Sequence, residues 1–132
     1  MRLRLAIGAL ATVGALVTGY LTAAHYHGAR LVCPTSGCET VQHSRYALLA
    51  GLPVALLGLA AFVAIVATAL VARAEAATIG AAIAVAAFLF SAYLLLVQLF
   101  AIHALCAWCV ASDIVATLLV PLAWTRSAGV QR

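Results

Sequence analysis

Cys33 and Cys38 bracket a polar stretch, Cys33-Pro-Thr-Ser-Gly-Cys38, while Cys106 and Cys109 form Cys-Ala-Trp-Cys at a predicted helix start. Two close-spaced pairs can exchange electrons with each other by thiolate attack on a disulfide. A chain that is 67% hydrophobic and 8% charged has abundant apolar surface and does not need disulfides as staples. The pairs therefore point to thiol–disulfide chemistry at a membrane surface.

Cys106 and Cys109 are three residues apart, so on a helix they share a face. Unpaired N–H groups at a helix start favour a thiolate, which makes such a pair reactive. The plainer reading is a structural disulfide or two buried thiols. Cys33 and Cys38 alone read as a loop staple, with Pro34 and Gly37 favouring a turn. Beside the second pair they read as a relay: a loop pair that meets a soluble partner, and a helix pair at the membrane. Four thiolates could also hold zinc tetrahedrally. The loop spacing and an oxidising surface fit that less well, and no metal is expected.

The elements that position these residues are apolar. Mean hydropathy is +1.21, and four runs reach the ~20 residues needed to cross a bilayer as helix. They cover residues 5–24, 53–72, 76–103 and 106–124, and the alternation of a membrane β-barrel is absent. The expected fold is all-α, an integral membrane four-helix bundle in a single domain, 1–132, with a redox loop over 25–52. Within that loop, Val41, Leu48 and Leu49 against Glu39, Gln42 and Arg45 predict a short amphipathic external helix. Gly51-Leu52-Pro53 ends it and opens the second span. Ala11, Ala15 and Gly19 in the first span, and Ala77, Gly80, Ala81 and Ala84 in the third, predict close helix packing. Trp108 and Trp124 fit aromatic belts at opposite faces. Pro121 is a candidate kink.

Arginine placement gives an orientation. Arg2 and Arg4 precede the first span, Arg73 follows the second, and Arg126 and Arg132 follow the fourth; Arg30 and Arg45 lie on the other side. The positive-inside rule then puts both termini in the cytoplasm and all four cysteines outside it, where disulfides persist. The first apolar run exceeds the ~7–15 residues of a signal peptide, so an uncleaved span is expected. Topology accounts for the net charge of +4. No basic patch suggests nucleic acid, and the expected surroundings are membrane lipid.

The order of features is a loop cysteine pair, Ser44-Arg45, Gly51-Leu52-Pro53 followed by Leu57-Gly58, then Cys106-x-x-Cys109 opening the last helix. It resembles the vitamin K epoxide reductase family in its small bacterial form, over about residues 5–124. The resemblance implies a four-helix bundle around a quinone, menaquinone or ubiquinone, in the bacterial inner (plasma) membrane. It implies that Cys33 exchanges with a partner, Cys38 passes electrons to Cys106, and Cys109 reduces the quinone, which supports disulfide bond formation. Ser44 matches the family's loop serine, which supports the cysteines. Many bacterial members carry a fused thioredoxin-like domain; here the expected partner is a separate DsbA-like thioredoxin-fold protein.

Two positions depart from the animal enzymes. Val54 stands where they have an asparagine that contacts substrate, and Asp113 where they have a tyrosine. Both departures count against epoxide reduction and leave quinone reduction as the expected activity.

Asp113 shares a face with Cys109, about 10 Å into the helix at ~1.5 Å per residue. An intramembrane acid is a functional candidate by default, here for handling protons. It could equally sit near the interface, favoured by the helix N-terminus. Tyr93, Gln98 and His103 are polar groups of the third span and, with Val54, candidates for quinone contact. His25, His27 and His43 are expected to be solvated. Other readings are a heavy-metal transporter with paired cysteines, a quinone-linked oxidase of another family whose pairs run in the opposite order, and a structural subunit whose cysteines tolerate serine.

Overall fold

The computed structural model describes residues 1–28 and 37–131. Cys33, Pro34, Arg30 and Arg132 lie outside the described residues. In chain order come α1 (Arg2–His27), α2 (Gly37–Gln42), a 3-10 turn (Arg45–Ala47), β1 (Leu48–Leu49), β2 (Leu52–Pro53), α3 (Val54–Leu70), α4 (Ala74–Val97), a π turn (Gln98–Ile102) and α5 (Ala107–Gln131). α1 packs on α3 and α5, and α4 packs on α5 and α3, which closes a four-helix ring. The fold is thus an all-α membrane bundle. α1, α4 with its π turn, and α5 are each long and apolar enough to cross a bilayer. The 17-residue α3 is shorter, about 26 Å at helical rise against a hydrocarbon core of ~30 Å.

Small residues set the ring's tightness. Of the predicted stripe on α1, Ala11 is buried and Ala15 and Gly19 are half-buried, with Gly14 buried beside them; on α4 the predicted Ala77, Gly80, Ala81 and Ala84 are all buried. The core is completed by Ile7, Phe62, Ile65, Val115 and Leu119, with contributions from every long helix. Dispersion between close backbones holds such contacts in lipid, where burial from water supplies little. α5 continues as helix through Pro121.

The end of the short α3 is held by two cations. Arg4 donates from Nε to the Ala69 carbonyl at 2.8 Å and from Nη2 to Leu70 at 2.6 Å. Arg126 donates from Nη2 to the Val71 carbonyl at 2.6 Å. A helix leaves its last carbonyls unpaired and carries partial negative charge there, so guanidinium groups suit that end twice over.

One expectation is corrected. The amphipathic helix predicted over 39–49 is replaced by a shorter α2 that starts at Gly37, then a 3-10 turn and a two-stranded hairpin. Ala50 and Gly51 both take positive φ, 54° and 84°. That is the geometry of a two-residue hairpin turn, and it pairs Leu49 with Leu52 and Leu48 with Pro53. Apolar spacing alone did not reveal the break, because Leu48 and Leu49 satisfy helix and strand patterns alike.

Candidate active site

The helix pair forms where the chain reverses between α4 and α5. Gln98 organises that reversal. Its main-chain carbonyl accepts from the His103 and Ala104 N–H groups, and its side-chain Oε1 accepts from the Cys106 N–H at 2.9 Å. His103 takes φ 58°, which closes the turn.

Cys106 then sits at the position that caps α5. Its carbonyl accepts the first helical bond from Val110 N–H, and its Sγ accepts the Cys109 N–H at 3.3 Å. A sulfur therefore occupies the place usually held by a serine or aspartate oxygen. The Cys109 thiol hydrogen-bonds to the Cys106 sulfur and, against the opposing effect of burial, brings the Cys106 thiol from its ordinary value near 9 down to about 7.

α2 lies against this end of α5. Cys38, Val41 and Cys106 form one buried cluster, flanked by Ile102, Ala104, Ala107, Trp108 and Cys109. Cys38 and Cys106 are each 0% exposed. The approach depends on Gly37: a Cβ there would collide with the Leu105 carbonyl oxygen and backbone. Gly37 and Leu105 immediately precede Cys38 and Cys106, so this backbone contact sets the two cysteines side by side. Cys38 is disulfide-bonded, whereas Cys106 and Cys109 are free thiols. From α1, Tyr20 packs its ring on Trp108 with centroids 5.2 Å apart.

Cys109 faces elsewhere. It lines a cavity of about 320 Å³ between α3, α4, α5 and the α2 segment, walled by apolar side chains such as Leu57, Phe62, Phe90 and Leu94. Polar groups enter at few points: Gln42, Ser44, Ser91, Ser112 and Asp113 among them. Gln42 Nε2 donates to Cys109 Sγ at 3.3 Å. Ser91 on α4 shares the cavity lining with Asp113, and Asp113 Oδ2 is buried without a hydrogen-bond partner among the described residues. An apolar cavity of this size with a handful of convergent polar atoms suits a flat, largely hydrophobic ligand with carbonyl oxygens, as a quinone is.

The predicted site residues fall into three groups. Cys38 and Cys106 come together away from the cavity, while Cys109, Asp113, Val54, Ser44 and Gln98 line it. Ser44 Oγ donates to the Val41 carbonyl at 2.7 Å and closes α2. Tyr93 and His103 do not line it; Tyr93 is 51% exposed and stacks on Phe90, and His103 is exposed. Sequence reasoning missed Gln42 and Gly37 as site residues. The available signal was Gln42's place four residues after Cys38, which puts both on one helical face. Ser91 had no comparable signal.

The chain matches the family described as Vitamin K epoxide reductase family over residues 5–124. No curated protein matches the chain.

Proposed function

The chain belongs to the vitamin K epoxide reductase family, whose members are membrane thiol–disulfide oxidoreductases that use quinone, and on that premise we propose that it passes electrons from a thioredoxin-fold dithiol protein through its two cysteine pairs to a quinone. One observation carries the reading. The helix pair is divided between two environments, with Cys106 buried against Cys38 and Cys109 opening on the cavity. A pair that only stapled the fold would have no reason to present one sulfur to each side.

In this reading the donor's dithiol reduces the Cys33–Cys38 disulfide through a mixed disulfide at Cys33. Cys38 then attacks Cys106 Sγ: the Cys38–Cys106 bond forms, the Cys106–Cys109 bond breaks, and Cys109 leaves as a thiolate at the cavity. Cys33 then attacks Cys38, which re-forms the loop disulfide and frees Cys106; as the Cys106–Cys109 bond re-forms, a quinone bound at the cavity would take up the two electrons and two protons, so one donor dithiol gives one disulfide and one quinol. Leu57, Phe62, Phe90 and Leu94 would hold its ring and exclude water. Asp113 is the carboxyl of the same cavity and would hand on protons there. Inner-membrane location, with the termini cytoplasmic and the cysteines opposite, fits the arginine distribution.

Purified protein in detergent, given a reduced DsbA-like donor and menaquinone or ubiquinone, should reduce quinone, and Cys109→Ala should abolish it. Equal turnover in the variant would remove Cys109 from the pathway. Asp113→Asn should lower quinone reduction about tenfold or more and flatten its pH profile. An unchanged rate and profile would exclude the proton role.

A further inference from the structure

α2 carries two groups to two sulfurs. Cys38 packs against Cys106, and Gln42, one helical turn later, donates from Nε2 to Cys109 Sγ at 3.3 Å. The spacings match: four residues on α2 oppose three at the start of α5, so seating α2 makes both contacts together. Gln42 also lines the cavity, which places its amide where the sulfur faces the ligand.

Resting on the reading above, we propose that Gln42 is a catalytic residue whose amide N–H holds the Cys109 thiolate when Cys38 has taken Cys106. In the free dithiol the Cys109 thiol has Cys106 as its hydrogen-bond acceptor. Once Cys106 Sγ is bonded to Cys38 that acceptor is lost, and Cys109 carries the negative charge in an apolar cavity. An unpaired buried charge is costly, and a donor already aimed at the sulfur lowers that cost without reorganisation. The electron pair of the broken Cys106–Cys109 bond leaves with Cys109, and the quinone of the proposed reaction is its oxidant once Cys33 has freed Cys106 to re-form that bond. Since Cys38 and Gln42 share one helix, docking of the loop pair and activation of the cavity-facing sulfur are a single event.

Among the described residues, the titratable groups near Cys109 are few. Cys106 and Asp113 belong to its own helix end, and Tyr46 reaches the cavity from the 3-10 turn. The cavity-lining residues of α1, α3 and α4 include none.

The test compares Cys106→Ala protein, in which Cys109 is the remaining helix thiol, with the same protein carrying Gln42→Met. Cys109 alkylation by iodoacetamide is followed by peptide mass spectrometry across pH. Gln42→Met alone is assayed for quinone reduction and for exchange of the loop pair with the donor dithiol. Losing the donor should move the alkylation midpoint up by about one pH unit and lower kcat for quinone about tenfold. KM, loop exchange and melting temperature should stay unchanged. An alkylation midpoint that does not move overturns the role of Gln42, whatever quinone does. A shifted midpoint in a protein that reduces no quinone supports the Gln42 contact and overturns the quinone reading instead.

Discussion

The two ends of the bundle solve the same backbone problem with different chemistry. At one end, α3 finishes on Arg4 and Arg126, whose guanidinium groups reach the carbonyls of residues 69–71 at 2.6–2.8 Å. At the other, α5 starts on Cys106, whose sulfur accepts the Cys109 N–H at 3.3 Å. Charge-assisted bonds from arginine are strong and chemically inert, and they fix the end of a helix that is short for a membrane span. A sulfur cap is weaker, and it can be exchanged. Breaking the cap by bonding Cys106 to another sulfur changes the state of Cys109, three residues on. One end is fixed by arginine bonds, and the other is held by a sulfur that thiol exchange would displace.

The contrast between the two ends depends most on Gly37. Gly37→Val drives side-chain carbons into the Leu105 backbone and lifts α2 from α5. Turnover driven by a donor dithiol should fall about 100-fold, as a misplacement of ~1 Å can cause. Direct reduction of the helix pair by dithiothreitol should persist; stopped-flow assays with both reductants separate the two. Equal loss with both would mean that Gly37 serves the whole fold and not the approach of the two pairs.

Gln98→Leu removes the acceptor of the buried Cys106 N–H. The expected loss is about 1–3 kcal/mol in detergent unfolding, together with slower quinone reduction, because the same bond positions the helix pair. Arg126→Met at the inert end should cost about 1.5 kcal/mol of stability yet leave turnover per folded molecule unchanged. If that variant instead slowed turnover, the separation between the ends would fail.

A smaller effect comes from pH. The Cys106 thiol sits at about 7 in the folded dithiol, below its ordinary value near 9. A depressed acid contributes stability that is fully present above the unfolded value and is lost as pH falls through the folded one. Melting of the reduced protein should therefore drop by roughly 4 °C between pH 9 and 7, with no matching drop once the helix pair is oxidised. Smallest of all, Tyr93→Phe and His103→Ala should leave KM for quinone within about twofold, since neither side chain lines the cavity.

The sequence revealed the helices through apolar length, their contacts through small residues, and the start of α5 through the Cys-Ala-Trp-Cys placement. It revealed less where meaning depends on distant partners. Gln98 is a polar residue in an apolar run, which permits a ligand contact or a structural bond. Only the reversal that brings Cys106 back to it shows that its Oε1 is engaged. Gln42 belonged to the polar face of a supposed surface helix, and the break after α2 is what lets that face turn towards α5. The small side chains of Ser44 and the Ala50-Gly51 pair held the signal for that break. Asp113 was legible as an anomaly by itself, an acid in a span, whereas the cavity it shares with Ser91 of α4 was not.

A trapped disulfide tests the proposed division of labour within the helix pair. Cys33→Ala protein, oxidised and digested without reduction, leaves Cys38 to bond whichever helix sulfur it meets. Peptide mass spectrometry should find Cys38 joined to Cys106, with Cys109 free to alkylate. A Cys38–Cys109 bond as the dominant species would contradict the account, because the cavity-facing sulfur would then be the one that receives electrons from the loop.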